Sequence, residues 1–231
     1  MQIGGLQKLT LIDFPGKVAA TVFLIGCNFK CPYCHNPELV DKKQIENQPI
    51  IKESDFFKFL KERNGFLDGI CITGGEPTIH SDLPKFIQKI KKIGFLIKLD
   101  TNGSNSEMLD GLVKNNLVDF IAMDIKTSIL KYREVGAGNM ISQVQKSIDI
   151  IKNSNKDYEF RTTVAPRIVD EKDIKEIGEW LGGSKKIVLQ QFRPEKVLEP
   201  SFKDVRPYSL QELEKMVNIL EPHIETVELR A

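Results

Sequence analysis

The stretch from residue 69 to residue 99, GICITGGEPTIHSDLPKFIQKIKKIGFLIKL, contains a strand, a helix and a second strand in succession. Residues 69–72 and 95–99 are short apolar runs bounded by turn residues, which is typical of buried strands. Between them, Ser81 can cap a helix whose apolar residues recur at helical spacing until Gly94. Two strands joined in this way run parallel, with a right-handed crossover. The stretch therefore predicts a βαβ unit.

The alternation of strand and helix continues on both sides of this unit. Further predicted strands occupy residues 18–25, 118–123, 158–164 and 187–191. Amphipathic helices separate them, and a capping box of Ser209 and Glu212 opens the last helix. Six strands that alternate with helices predict an α/β fold, and we expect a partial (β/α)6 TIM-like barrel of parallel strands with the helices outside. A flat doubly wound sheet is the alternative, since periodicity alone does not separate the two.

Composition and charge limit the class of protein. The 231 residues are 41% hydrophobic and 28% charged, with no internal repeat or linker, so we expect a single domain over 1–231. Its core would span about 13–195, followed by a C-terminal helix and an edge strand within 207–231. A net charge of +1 without basic blocks argues against nucleic acid as a partner. No leader or membrane-spanning pattern is present, so we expect a cytoplasmic protein without a membrane partner.

Three of the four cysteines lie within eight residues, directly after the first predicted strand. The thiolates of Cys27, Cys31 and Cys34 suit an iron-sulfur cluster or zinc. A 4Fe-4S cube held by only three cysteines leaves one iron open to an external ligand. A zinc site that includes His35, or a redox dithiol of Cys31 and Cys34, is the alternative of another class. The fourth cysteine, Cys71, lies in a predicted strand and is expected to be a small buried hydrophobe.

Polar residues also follow the next three predicted strands. A Gly-Gly turn precedes Glu76, Asp100 begins the sequence Asp-Thr-Asn-Gly, and Asp124 is followed two residues later by Lys126. Each sequence alone is ordinary turn chemistry or a charge pair. Because active-site groups of β/α barrels gather at the carboxyl ends of the strands, their shared position predicts a site at this rim.

The spacing C-x3-C-x2-C, with Tyr33 before the last cysteine, resembles the signature of the radical S-adenosylmethionine superfamily. The resemblance implies one 4Fe-4S cluster held by Cys27, Cys31 and Cys34, whose open iron chelates S-adenosylmethionine. Reductive cleavage of that cofactor then gives a 5'-deoxyadenosyl radical. The cofactor-binding residues implied are Tyr33, Gly74, Gly75, Glu76, Pro77, Asp100, Thr101, Asn102, Asp124, Lys126, Thr163 and Arg193. Cys71 alone cannot hold a second cluster.

Within this superfamily, residues 11–17, 31–37 and 189–194 resemble the activating proteins of anaerobic ribonucleotide reductase in their long form, which are related to the pyruvate formate-lyase activating enzyme. The resemblance implies an oxidoreductase that generates a glycyl radical on a partner, with anaerobic ribonucleotide reductase favoured, and a flavodoxin or ferredoxin-type electron donor. It further implies that Asp13 contacts the substrate peptide.

A monovalent cation near Asp100, Thr101 and Asp124 is also implied by this resemblance. Three alternatives stay open for the function. The chain could activate pyruvate formate-lyase or another glycyl-radical enzyme, or it could be a radical S-adenosylmethionine enzyme that acts on a small molecule. The third alternative is the zinc or dithiol redox module.

Overall fold

The computed structural model describes residues 1–231 and contains one eight-stranded sheet whose strand order follows the chain. The strands are β1 Ile3–Thr10, β2 Ala19–Leu24, β3 Gly69–Gly74, β4 Leu96–Thr101, β5 Phe120–Asp124, β6 Asp157–Val164, β7 Lys186–Gln191 and β8 Thr226–Arg230. The first pair, β1 and β2, is antiparallel, and every later neighbour pair is parallel.

Seven α-helices accompany the strands. They are α1 Lys42–Glu46, α2 Glu53–Glu62, α3 Leu83–Lys91, α4 Ser106–Lys114, α5 Ile141–Lys152, α6 Glu171–Leu181 and α7 Leu210–Leu220. Four short 3-10 turns lie at Pro37–Leu39, Pro77–Ile79, Ile129–Val135 and Pro200–Phe202. No helix combines the length and the apolar composition that crossing a lipid bilayer requires.

The strand order confirms the predicted partial barrel. A doubly wound sheet reverses its strand order near the middle, whereas β2 to β8 follow one another without reversal. Right-handed crossovers then place all the helices on one side, and the sheet curls away from them. Because β1 and β8 do not pair, the barrel stays open along one seam. All six predicted parallel strands form, and β8 realises the expected edge strand.

Two elements were not expected from the sequence. Strand β1 carries Gly4 and Gly5 and lacks apolar alternation, so the sequence pattern does not predict a strand there. Gly4 allows close packing there, because a Cβ would lie 2.5 Å from Cδ2 of Leu39 and 2.8 Å from Cγ1 of Ile25. The five-residue helix α1 buries none of its side chains, so it has no apolar periodicity from which it could be predicted.

The two faces of the sheet differ in chemistry. In β4, Ile97 and Leu99 are fully buried and belong to the main apolar core, a cluster of 52 buried residues. The alternate residues Lys98 and Asp100 point the other way, where they approach Cys71 of β3. Apolar side chains thus pack outward under the helices, while polar side chains enter the barrel.

Candidate active site

The cysteine loop follows β2 and is held firmly against the barrel rim. Tyr33 is buried, and its hydroxyl donates to the carbonyl oxygen of Lys126 at 3.1 Å. The amide of Lys30 donates to the carbonyl oxygen of Val135 at 3.0 Å. All three cysteines of the loop line one inner cavity, and none forms a disulfide. The loop therefore presents three free thiols to a common space.

The thiols are buried enough to be protonated when no metal holds them. Burial raises the pKa of Cys27 to about 12 and that of Cys31 to about 11. Metal binding displaces such protons, since the thiolate is the ligand. No three His, Cys, Asp or Glu side chains lie close enough to hold a single metal ion. Three cysteines that line one shared cavity suit an iron-sulfur cluster.

His35, the residue after the last cysteine of the loop, has a buried polar atom that bears on what the cavity can hold. Its ring stacks on Phe192 at 6.2 Å, and it lines the inner cavity. The Nε2 atom is buried without a hydrogen-bond partner, which is rare for a native polar group. A group bound in the cavity would relieve this, and the residues therefore fit a resident cofactor.

The paired glycines bring the end of β3 into contact with the cysteine loop. A Cβ at Gly75 would overlap the carbonyl oxygen of Gly26, so only glycine fits there. Gly74 has a φ of 115°, a backbone conformation that favours glycine. The amide of Glu76 donates to the carbonyl oxygen of Gly26 at 2.8 Å. This close approach fixes Glu76 beside the first cysteine of the loop.

The carboxylate of Glu76 is buried and joins the ends of β3 and β4. Its Oε1 accepts from the amide of Thr78 at 3.0 Å and from the hydroxyl of Thr101 at 2.7 Å. Its Oε2 accepts from the amide of Asn102 at 2.6 Å. Burial raises the pKa of Glu76 against the effect of these hydrogen bonds. Because Oε2 has one protein donor only, it retains capacity to accept from a cofactor.

Five charged side chains form a continuous row inside the barrel, which we call the charged row: Lys98, Asp100, Arg161, Asp124 and Lys126. The Arg161 guanidinium bridges the two aspartates, with Nη1 3.0 Å from Oδ2 of Asp100 and Nε 2.8 Å from Oδ1 of Asp124. Lys126 Nζ lies 2.9 Å from the other oxygen of Asp124, and Lys98 pairs with Asp100 at the opposite end.

The charges of the row stabilise one another. Burial alone would raise the pKa of Asp124, but Arg161 and Lys126 outweigh it and hold the pKa well below the ordinary range. Burial likewise opposes ionisation of Asp100, and Arg161 and Lys98 lower its pKa. Both aspartates are therefore ionised at neutral pH.

The structure brings most of the predicted site residues together. The inner cavity, of about 210 Å³, is lined by Cys27, Cys31, Tyr33, Cys34, Gly74, Gly75, Glu76, Asp100, Thr101, Asn102, Asp124, Lys126 and Thr163. Pro77 does not line it and instead begins a 3-10 turn. Asp13 and Arg193 line a wider outer cleft of about 850 Å³ along the open seam. His35, Arg161, Thr163 and Gln190 border both spaces, so the two are adjacent.

Several residues of the site were not predicted from the sequence. Arg161 lines both spaces, whereas Lys98 lines neither and pairs with Asp100. Lys98 stands between Ile97 and Leu99, and Arg161 follows Phe160 in a strand that also carries Glu159. A charged side chain within a buried strand needs a partner. That signal could have marked both. His35 was weighed only as a zinc ligand, and Thr73, Asn36 and Gln190 carried no motif of their own.

Comparison with known proteins gives sequence relatives along most of the chain. The family model described as the Radical SAM superfamily matches residues 21–181. A protein of Methanocaldococcus jannaschii is 34% identical to this chain, and the match covers 99% of this chain and 95% of the relative. Its name, assigned by inference, is glycyl-radical enzyme activating enzyme. The pyruvate formate-lyase-activating enzyme of Clostridium pasteurianum is 29% identical over 54% of this chain and 52% of its own.

Two solved structures share the fold. A domain of the pyruvate-formate lyase-activating enzyme from Bacteroides vulgatus matches with a TM-score of 0.54 and 19% identity, over 69% of this chain and 98% of that one. Streptococcus suis SuiB bound to S-adenosylmethionine matches with a TM-score of 0.64 and 13% identity, over 91% of this chain and 52% of that one. At these identities the matches support the partial barrel alone.

Proposed function

The chain belongs to the radical S-adenosylmethionine superfamily, and we propose that it acts there as the activating enzyme of a glycyl-radical partner. The observation that carries the proposal is the shared inner cavity, which is lined by three free cysteines, Glu76 and every member of the charged row except Lys98. That cavity adjoins an outer cleft of about 850 Å³, where we place a polypeptide segment of the partner. The relative that matches nearly the whole chain bears a name of the same kind.

The proposal gives the residues of the cavity distinct tasks. Cys27, Cys31 and Cys34 hold a 4Fe-4S cluster, which when bound supplies the electron that cleaves S-adenosylmethionine and releases the 5'-deoxyadenosyl radical. The second oxygen of Glu76 accepts from the ammonium group of the cofactor. Lys126 lines the cavity beside Asp124 and offers its ammonium to the carboxylate or ribose oxygens.

The outer cleft is the proposed place of the partner. A carbon radical must be kept from water, yet this cleft lies along the open seam of the barrel. A glycine-bearing loop of the partner would fill it and close the site. Asp13 borders the cleft, where its Oδ2 accepts from the hydroxyl of Thr21 at 2.6 Å. Its other oxygen can accept from a backbone amide of that loop.

Anaerobic ribonucleotide reductase is the partner that we propose. The support is the likeness of residues 11–17, 31–37 and 189–194 to the long-form activating proteins of that enzyme. Pyruvate formate-lyase is the second candidate, because the Clostridium pasteurianum enzyme matches about half of the chain. A flavodoxin or ferredoxin is the proposed electron donor. A monovalent cation is not part of the proposal, because Arg161 already bridges the two aspartates.

Electron paramagnetic resonance tests the proposal directly. The protein is reconstituted anoxically with iron and sulfide, reduced, and mixed with S-adenosylmethionine and either candidate partner. We expect a glycine-centred doublet on anaerobic ribonucleotide reductase. A doublet on pyruvate formate-lyase instead would move the assignment to the second candidate. No doublet on either, together with turnover of a small molecule, would contradict the activating role.

A matched variant separates contact with the partner from radical chemistry. With Asp13→Asn we expect formation of 5'-deoxyadenosine to continue while the yield of glycyl radical falls. Asp68→Asn serves as the control, because Asp68 accepts from the amide of Val18 just before β2 and lines neither cavity. An equal doublet in wild type and Asp13→Asn would remove Asp13 from the partner site.

A further inference from the structure

The ligands that a monovalent cation would need between β4 and β5 are already engaged. Arg161 faces one oxygen of Asp100 and one of Asp124 at 3.0 and 2.8 Å. Lys98 takes the remaining oxygen of Asp100, and Lys126 takes that of Asp124. The hydroxyl of Thr101 donates to Glu76 and accepts from the amide of Gly103 at 3.1 Å. The residues present therefore do not fit the cation that the resemblance implies.

Charge counting leads to the same conclusion. The charged row has three cations and two anions, so it carries one positive charge in excess before any ion binds. Arg161 and both aspartates are largely buried, with 12 to 25% of each side chain exposed, so water screens their charges weakly. A sodium or potassium ion placed between the aspartates would lie beside the guanidinium and be repelled.

The register of strands β4, β5 and β6 places the Arg161 guanidinium between the two aspartates. Asp124 and Arg161 are register partners on β5 and β6, and Asp100 lies one strand further, so the side chain spans two strand spacings. Lys98 is fully buried at the far end, where its Nζ lies 3.8 Å from the sulfur of Cys71. Its ammonium also lies 5.9 Å from the ring centre of Phe120, within cation–π range. Neither cation can exchange with solvent ions.

We propose that Arg161, supported by Lys98, is a built-in cation that replaces an exchangeable monovalent ion at the cofactor site. Arg161 acts as a positioning residue, because it holds Asp100 and Asp124 at the edge of the inner cavity where the cofactor would lie. The inference rests on the proposed binding of S-adenosylmethionine. Its consequence is specific: cofactor binding does not depend on which monovalent salt is present.

Two measurements on the reconstituted protein test this. Equilibrium dialysis with radioactive rubidium reports ion binding without any need for activity, and we expect no saturable uptake. Calorimetric titration with S-adenosylmethionine under anoxic conditions should give the same Kd, within about twofold, in potassium, sodium and choline chloride. Saturable uptake of one rubidium ion per chain, or affinity that rises with potassium, would overturn the inference.

Variants make the test sharper. Arg161→Gln leaves the aspartates without their bridge, so we expect rubidium uptake to appear and cofactor affinity in choline to fall about tenfold, with recovery in potassium. Arg161→Lys keeps a positive charge and should take up no rubidium. Lys98→Met is a second variant should Arg161→Gln fold poorly, and it should show a smaller gain of potassium dependence. If Arg161→Gln binds S-adenosylmethionine more weakly by the same factor in potassium, sodium and choline chloride, the variant has a general structural defect. That result would count against the inference.

The outcomes also separate this inference from the proposed function. If S-adenosylmethionine fails to bind in any salt, the proposed function fails, and rubidium uptake by wild type and Arg161→Gln still decides whether a cation site exists. If the cofactor binds without salt dependence but no glycyl radical forms on any partner, the built-in cation stands and the activating role does not.

Discussion

The two faces of this sheet are made from the same strands and yet perform different tasks. On the helix-facing side, Ile97, Leu99 and Phe160 belong to one apolar core. On the barrel side of those strands, Lys98, Asp100 and Arg161 form charge pairs. Strand periodicity of two separates scaffold from site by a single residue. The difference teaches that neighbouring positions in one strand should fail in different ways when they are substituted.

The largest contrast is expected between two cysteines. Cys31→Ala removes one of the three sulfurs that face the inner cavity, so we expect loss of the iron-sulfur absorbance and of measurable 5'-deoxyadenosine. Cys71→Ala is the matched control, because Cys71 is fully buried in β3 and does not line that cavity. Iron analysis and product chromatography give the readout. Equal iron loss in both variants would erase the distinction between them.

A substitution on the helix-facing side should affect stability without affecting chemistry. Ile97 is fully buried in the core, so Ile97→Ala should lower the free energy of unfolding by about 2 to 5 kcal/mol. The Kd of S-adenosylmethionine in the folded protein should stay unchanged. Urea denaturation and calorimetry measure the two quantities. A weakened cofactor affinity at full folding would show that the two faces are coupled.

The barrel side should show a stability effect that depends on pH. Arg161→Gln removes the bridge between two ionised aspartates and should cost about 3 kcal/mol at neutral pH, with Lys98 and Lys126 limiting the loss. Both aspartates have folded pKa values below the ordinary range. The two aspartates therefore contribute fully to the free energy of unfolding at pH values above the pKa of an unfolded aspartate, about 3.9. That contribution disappears as the pH falls through their pKa values in the folded protein.

Urea denaturation of wild type and Arg161→Gln across a pH series checks this sign. The difference in free energy of unfolding should be constant from about pH 8 to pH 6. It should shrink at lower pH, because the buried aspartates of Arg161→Gln, without the guanidinium, take up protons before those of wild type. Ile97→Ala is the control, because a lost apolar contact has no such dependence. If the difference in free energy of unfolding between wild type and Arg161→Gln narrows between pH 8 and pH 6, the claim that Asp100 and Asp124 are ionised at neutral pH is contradicted.

The smallest expected effect belongs to Glu76. In Glu76→Gln the shape is kept, but an amide replaces the carboxylate that we propose for the cofactor ammonium. We expect the Kd of S-adenosylmethionine to rise about tenfold, the loss of one charge-assisted hydrogen bond. Glu62→Gln, on the exposed side of α2, is the control. If Glu76→Gln binds S-adenosylmethionine with unchanged Kd, the ammonium group of the cofactor does not contact Glu76.

The sequence predicted what depends on local pattern. Apolar runs and helical spacing located the six strands β2 to β7, and the position of Glu76, Asp100 and Asp124 after strands located the rim. Parallel order then brought those residues together, because carboxyl ends of such strands meet at one edge.

What stayed hidden depends on register. The bridge made by Arg161 requires that Asp124 stand beside it and Asp100 one strand further, and periodicity does not give that alignment. Strand β1 was hidden because its glycines serve close packing against Leu39 rather than an apolar pattern. The outer cleft depends on the open seam, which only the full strand order reveals.

The most direct test of the central claim is the electron paramagnetic resonance spectrum of the reduced, reconstituted protein before and after addition of S-adenosylmethionine. Three cysteines that hold a 4Fe-4S cluster leave one iron for the cofactor, so its addition should shift the g values of the cluster signal. A spectrum unchanged by the cofactor, or no iron-sulfur signal after anoxic reconstitution, would contradict a three-cysteine cluster with an open iron.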